Sequence, residues 1–179
     1  MNIDQAYKFC PRCGALIRRT GKLLKCPACD LSFYLNPKPV TSVILINDKD
    51  EILFAVRGIE PQKGMLDFPG GFAEEDEDFE QSARRELKEE LGIEVGKLKY
   101  HSSHIGEYLF EGIDYKVLGV TYLAKLPPGA KIKVADDVAA VKFYKLSDVP
   151  MDELSGNSER KLIEALKQGQ DLGTLFKSL

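Results

Sequence analysis

One segment limits what this chain can fold into more than any other: residues 71–93, GFAEEDEDFEQSARRELKEELGI. Within it Phe79, Ala83, Leu87 and Leu91 recur every four positions. That is the period of a helix with one face committed to a core, so the fold must supply a layer for it to lie on. Asp76 and Asp78 are candidate caps at its start, where acidic residues suit the positive end of the helix dipole, and Gly92 is the stop signal. A second face carries Glu86, Glu89 and Glu90 at i, i+3 and i+4. Their carboxylates fall within about a third of a turn, and each like-charged pair costs a few tenths of a kcal/mol in an isolated helix.

A cation offsets such repulsion. Hard carboxylate oxygens select magnesium, manganese or calcium rather than zinc. Magnesium held by a few carboxylates, with positions left for water and phosphate oxygens, is an arrangement suited to phosphoryl chemistry. The competing reading is a solvated acidic face, common in a chain with 30% charged residues. The wider pattern argues against it. Gly71, Glu77, Arg85, Glu86, Leu87, Glu89, Glu90, Gly92 and Ile93 fill every specified position of G-x5-E-x7-R-E-U-x-E-E-x-G-U, where U is aliphatic. A chance match has odds on the order of one in ten million.

The segment resembles the signature box of the Nudix hydrolases. Phe68-Pro69-Gly70-Gly71 resembles the family's entry to the box, and Ile52–Arg57 its preceding apolar strand ending in arginine. The resemblance implies an α+β fold, an α/β/α sandwich with a mixed sheet, and hydrolysis of a nucleoside diphosphate linked to another moiety. It implies Glu86 and Glu90 as magnesium (or manganese) ligands, Glu89 as a further ligand or water-activating carboxylate, and a backbone carbonyl of Gly70-Gly71 reaching the metal. Glu77 would pair with Arg85. The general base varies among members and is left open; Asp136 and Asp137 occupy the place where some members carry a downstream glutamate.

Cys10, Cys13, Cys26 and Cys29 are all the cysteines, spaced C-x2-C-x12-C-x2-C. Paired thiolates on two turns, joined by a hairpin over residues 15–25, can close a tetrahedral zinc site with no open position, hence a structural one. Two disulfides in a secreted protein are the alternative; residues 1–9 hold no apolar run of the signal-peptide kind, so the expectation is zinc and a cytoplasmic protein. A zinc ribbon over 1–36 preceding a Nudix domain over 37–179 is the expected organisation, the boundary falling near Pro37 and Pro39. Arg12, Arg18, Arg19, Lys22 and Lys25 make the ribbon basic, read here as a solvated surface. The net charge of −3 argues against a protein dependent on non-specific nucleic-acid binding, and no apolar run is long enough to span a membrane.

The remaining strands are expected at 40–46, 52–57, 65–68, 98–104, 108–110, 115–124 and 138–144, with a closing helix at 158–167. The fusion resembles the NADH diphosphatase branch, whose relatives are often dimers. That branch carries a tryptophan-containing motif past the box, and this chain has no tryptophan. The expected small-molecule nucleotide substrate is therefore ADP-ribose or a related nucleotide sugar first and NAD(H) second. A non-cleaving nucleotide sensor is the reading from another class; the intact box argues against it. An isoprenoid diphosphate isomerase would need a cysteine outside the ribbon, and none exists. Phe33, Tyr34, Tyr108, Phe110 and Tyr115 are aromatics able to stack a base, Arg57 is a candidate phosphate contact, and His101 and His104 carry no assigned role.

Overall fold

The computed structural model describes residues 6–21 and 23–169, so Lys22 lies outside the described residues. Two compact units emerge: the described residues up to Lys38 with Glu107–Val117, and Pro39–Gly106 with the described residues from Leu118 onward.

The first unit is built on three short antiparallel strands, β1 (Arg18–Thr20), β2 (Leu23–Lys25) and β3 (Ser32–Tyr34). The hairpin expected over 15–25 is β1–β2; β3 is an addition, too short and too polar to read from sequence. Each cysteine pair sits on the same local turn. Gly14 N–H donates to Cys10 O and Cys10 N–H to Ala15 O; Asp30 N–H donates to Cys26 O and Cys26 N–H to Leu31 O. Both turns close with a left-handed residue, Gly14 at φ 74° and Asp30 at φ 57°. Aspartate tolerates that region better than most side chains, which lets the second turn form without glycine.

The second unit holds most of a sheet ordered β6-β5-β4-β8-β7, with β9 also paired to β5; the stretch Glu107–Val117 of β7 and β8 is counted with the first unit. Its strands are β4 (Lys38–Ile46), β5 (Glu51–Arg57), β6 (Leu66–Asp67), β7 (Lys99–Phe110), β8 (Ile113–Lys125) and β9 (Val138–Lys145). β5 pairs antiparallel with β4, β6 and β9. Ser42 lies against Thr121, and Leu126 N–H donates to Ile46 O at 2.8 Å. Residue numbers climb together along β4 and β8, so that pair is parallel and the sheet is mixed. Two expectations change here. The gap expected between 104 and 108 is absent, because Glu111 (φ 47°) and Gly112 (φ 76°) turn a single long hairpin. Pro39, expected with Pro37 to interrupt any regular element at the boundary, does not: it occupies the second position of β4, where a missing N–H is tolerated.

Helices cover both faces. Helix α1 (Phe79–Leu91) buries Ala83, Leu87 and Leu91 against Val43, Leu45, Leu53 and Ala55. Helix α2 (Asn157–Gly169) buries Ile163 and Leu166 with Ile44, Ile46, Ile52 and Phe54. Odd residues of β4 face one helix and even residues the other, the burial expected of strands covered on both sides. Fully burying one such leucine contributes about 1.5–3 kcal/mol. Among the described residues no helix is long and apolar enough to cross a membrane.

Candidate active site

Helix α1 is held at both ends by its own sequence. Of the two candidate caps Asp78 serves: Gln81 N–H donates to Asp78 Oδ1 and Asp78 N–H to Gln81 Oε1, both at 2.8 Å. This reciprocal box satisfies donors left orphaned at a helix start. At the other end Gly92 (φ 65°) turns the chain left-handed, with Gly92 N–H donating to Lys88 O and Ile93 N–H to Leu87 O. The helix cannot slide or rotate without breaking these ends, so the acidic face stays where the core stripe puts it.

Against that face runs the loop Pro69–Gly71, tied to β4 by Thr41 N–H to Gly71 O and Val43 N–H to Pro69 O, both 2.8 Å. The two glycines are needed for different reasons. Gly70 has φ 144°, and a Cβ there would land on the Thr41 carbonyl and 2.8 Å from Ser42 Cα. A Cβ on Gly71 would sit 2.5 Å from Glu86 Oε1. One glycine permits the loop to lie on the strand; the other leaves room for a carboxylate.

The box carboxylates divide into two kinds. Glu86 and Glu90 are buried, at 8% and 5% exposure, whereas Glu89 is nearly half exposed. Gly70 N–H donates to Glu90 Oε2 at 3.0 Å. Burial pushes Glu90 up to about 9, the charges of Asp137, Glu86 and Asp67 add to the rise, and the Gly70 N–H opposes it. Glu86 is raised for the same first reason, with Arg85 opposing and Glu89 and Asp137 adding. Buried carboxylates that repel one another are a donor set that a hard divalent cation fits, because only added positive charge lets all of them ionise.

Arg85 ties the face together. Its Nε donates to Glu77 Oε1 at 2.6 Å and its Nη2 to Glu77 Oε2 at 2.9 Å, a bidentate pair. Nη1 donates to Glu86 Oε1 and Glu89 Oε2, both at 2.8 Å, and Nη2 reaches Phe72 O. The Glu77 bond is the largest of the influences that raise Arg85, and the Arg85 bond the largest that lowers Glu77. One guanidinium thus joins the loop before the helix to two carboxylates on it.

Three further acids escaped the sequence reading in part or whole. The backbone at Asp137 is held by Gly58 N–H donating to Asp137 O at 2.5 Å, an approach the absence of a Gly58 Cβ permits, and the charge of Asp137 acts on Glu86 and Glu90. Ala135 N–H to Glu90 O and Lys133 N–H to Leu91 O anchor the same loop on the end of α1. Asp67 receives Arg57 Nη1 at 3.2 Å and Phe68 N–H at 2.9 Å, and burial raises it. Glu159, on the first turn of α2, is raised to about 7 by burial and by the charge of Asp67. For Asp137 the sequence offered its place downstream of the box and the glycine at 58, and for Asp67 the arginine at 57; nothing signalled Glu159. Arg57 itself is engaged by Asp67 and by Pro61 O, which its Nε reaches at 2.8 Å.

The four thiols converge. Their sulfurs all lie within 4.8 Å of one another, with Cys10–Cys29 at 3.7 Å and Cys13–Cys26 at 3.5 Å. A tetrahedral zinc with bonds of about 2.3 Å has sulfurs about 3.8 Å apart, so the geometry fits zinc. No disulfide joins them. Burial raises Cys10, but the Arg12 and Cys13 N–H groups and the neighbouring thiols more than offset it and bring it to about 7.

Of the other singled-out residues, His104 lies over Gly119, where a Cβ would meet its Nε2 at 2.6 Å, and burial lowers its pKa. His101 has a buried Nε2 with no hydrogen-bond partner among the described residues. Tyr108 and Phe110 stack at 6.1 Å, Phe33 packs on Tyr7, Tyr115 is half-buried and Tyr34 is 63% exposed.

Comparison with known proteins gives the family and the fold. The NUDIX domain family model matches residues 36–166. The NAD-capped RNA hydrolase NudC of Salmonella heidelberg (strain SL476) is 27% identical over 162 residues, covering 89% of this chain and 60% of that protein. The chain therefore spans about three-fifths of that relative's length. A NUDIX hydrolase from Nitrosomonas europaea shares the fold with a TM-score of 0.67 at 23% identity, over 91% of this chain and 94% of that one. The NUDIX domain of Shewanella oneidensis NrtR, solved with ADP ribose, does so with 0.61 at 22% identity, over 74% of this chain and 88% of that one.

Proposed function

The chain belongs to the NUDIX family of hydrolases, and from that premise we propose that it cleaves the phosphoanhydride bond of a nucleoside diphosphate linked to another moiety, ADP-ribose or a related nucleotide sugar first. The observation that carries this reading is the pair of buried, mutually repelling carboxylates, Glu86 and Glu90, facing the Gly70 loop. These two would hold magnesium, with Glu89 and the Gly70-Gly71 backbone completing the protein's share of ligands. Bound magnesium supplies neutralisation of the diphosphate and activation of water at neutral pH.

The chain's own residues do the rest. Glu77 and Arg85 fix the rotation of Glu86, so its carboxylate is preorganised. The Gly70 N–H orients Glu90. A base must stand beside the ligands without being one, and Asp137 meets that condition, since both Glu86 and Glu90 feel its charge. Glu89 is the alternative base, in which case it leaves the ligand set to Glu86, Glu90 and the loop backbone. The four cysteines would hold a structural zinc, which adds folding free energy to a segment too small for a large core. Reduced thiols suit the cytoplasm.

A magnesium-dependent hydrolysis screen tests the reading across ADP-ribose, nucleotide sugars, NADH, dinucleoside polyphosphates and nucleoside triphosphates. Nucleoside monophosphate release, lost in Glu86→Gln and Glu90→Gln, is expected. Tight binding of one candidate with turnover of none would replace the enzyme with a sensor. The name of the Salmonella relative favours a second reading, NAD or an NAD-capped end as substrate. The absence of tryptophan past the box stands against it. The ratio of kcat/KM for ADP-ribose over NADH decides: above one supports the first reading, well below one the second.

A further inference from the structure

The three-stranded sheet of the first unit has two unlike faces. Pairing sets Arg19 opposite Leu24 and Leu24 opposite Phe33 on one of them. That is the inner face: Leu24 is buried and Phe33 packs on Tyr7. The alternation of side chains then puts Arg18, Lys25 and Ser32 side by side on the other face, with Tyr34 two residues along from Ser32. All four are exposed, Tyr34 by 63%.

This outer face is costly as it stands. Arg18 and Lys25 are direct cross-strand partners, and like charges placed so destabilise a sheet. Lys25 has Asp30 at 3.5 Å, but both are largely exposed and the pair is screened. Arg18 has no ion-pair partner among the described residues, and no acid lies on the strands themselves. The neutral-looking total of −3 hides the asymmetry. Residues 1–36 hold six Lys/Arg against Asp4 and Asp30. A zinc bound by four thiolates would take back two of those four positive charges and leave the segment basic. The remaining residues carry the acidic excess.

We propose that the outer face of this sheet, Arg18, Lys25, Ser32 and Tyr34, is a binding platform for single-stranded nucleic acid. An open sheet face with an exposed aromatic and flanking cations matches what such a strand presents. A base has a flat face to stack on Tyr34, and its flanking phosphates offset the Arg18–Lys25 repulsion. Tyr34 and Lys25 are diagonal neighbours on adjacent strands, roughly 7–8 Å apart, within reach of one nucleotide. Ser32 supplies a hydroxyl beside them for phosphate or sugar. Charge complementarity selects this occupant over the same face of a second copy of the chain, which would bring a second Arg18–Lys25 pair against the first. Binding here does not depend on the hydrolase reading.

Fluorescence anisotropy of a labelled single-stranded RNA of about ten nucleotides tests this, with the full zinc-loaded chain and no added magnesium. Binding is expected at about 50 mM salt and is expected to weaken steeply toward 200 mM. Tyr34→Ala should weaken it about tenfold, and Arg18→Gln with Lys25→Gln should flatten the log–log salt slope by about 1.4. Zinc content near one equivalent certifies each variant's fold. Should either lose zinc, Ser32→Glu adds a negative charge to the exposed face without touching the core, and should abolish binding. No binding by the unaltered chain at low salt, or equal affinity in zinc-loaded variants, overturns the proposal. So does self-association that Tyr34→Ala dissolves while RNA affinity stays unchanged.

Discussion

Replacing Glu90 by glutamine should make the magnesium-free protein more stable while abolishing its activity. In the folded chain Glu90 is raised to about 9, chiefly by burial, from an ordinary 4.5. For a carboxyl group raised on folding, the native state keeps its proton over the window from about 4.5 to 9 in which the unfolded chain has released it. The native state then binds more protons, so stability falls as pH rises through that window. At pH 7 the interval above 4.5 is worth about 3 kcal/mol at most. Glutamine has nearly the same shape, carries no charge and retains an oxygen for the Gly70 N–H. Glu90→Gln should therefore raise Tm by roughly 5–10 °C at pH 7, at about 2–4 °C per kcal/mol for a chain of this size. Near pH 5 the difference should shrink to a degree or two.

Magnesium reverses the order. A cation that binds the native protein adds about 4.1 kcal/mol at a thousand times its Kd, more than the roughly 3 kcal/mol at issue, and the variant gains little of it. Thermal melts of both proteins from pH 5 to 9, dialysed free of magnesium and then with excess, measure all of this. A variant no more stable than its parent at pH 8, or a difference that does not change with pH, would refute the reasoning about the buried carboxylates.

Three other outcomes are expected. Arg85→Ala removes the link among Glu77, Glu86 and Glu89, and should lower kcat at least a hundredfold with stability down by about 1–3 kcal/mol, read by steady-state kinetics and denaturant unfolding. Gly70→Ala forces a side chain onto the Thr41 carbonyl at a backbone angle that alanine resists; magnesium titration should show weakened binding although every carboxylate is intact. Asp137→Asn should lower kcat by about 10²–10⁴ with KM little changed if Asp137 is the base, and an unaltered rate moves that role to Glu89.

Much of the architecture was readable because it rests on short-range chemistry. The Leu87 stripe, the Asp78 cap and the Gly92 stop each act within a turn or two of helix, so their signals sit together in sequence. Pro39 and β3 were harder. Whether a proline breaks a strand depends on whether its missing N–H faces a partner, and a three-residue strand exists only because a neighbour completes its ladder. The hairpin of β7 and β8 illustrates the same limit. His104 and Gly119 look like breaks in an apolar pattern, yet one ring fills the space the other residue leaves.

The sequence alone determined the chemistry on offer. Carboxylates at i, i+3 and i+4 share a helix face whatever lies around them, and cysteines two apart on a turn can chelate one ion. It could not determine which carboxylates are buried, because exposure is set by the loop and strand that cover them. Only the tertiary structure separated Glu86 and Glu90 from the half-exposed Glu89, and brought the charge of Asp137 to both and that of Asp67 to Glu90 from distant positions. Burial converts a tolerable row of surface charges into a site that needs a cation, and burial is a property of the fold.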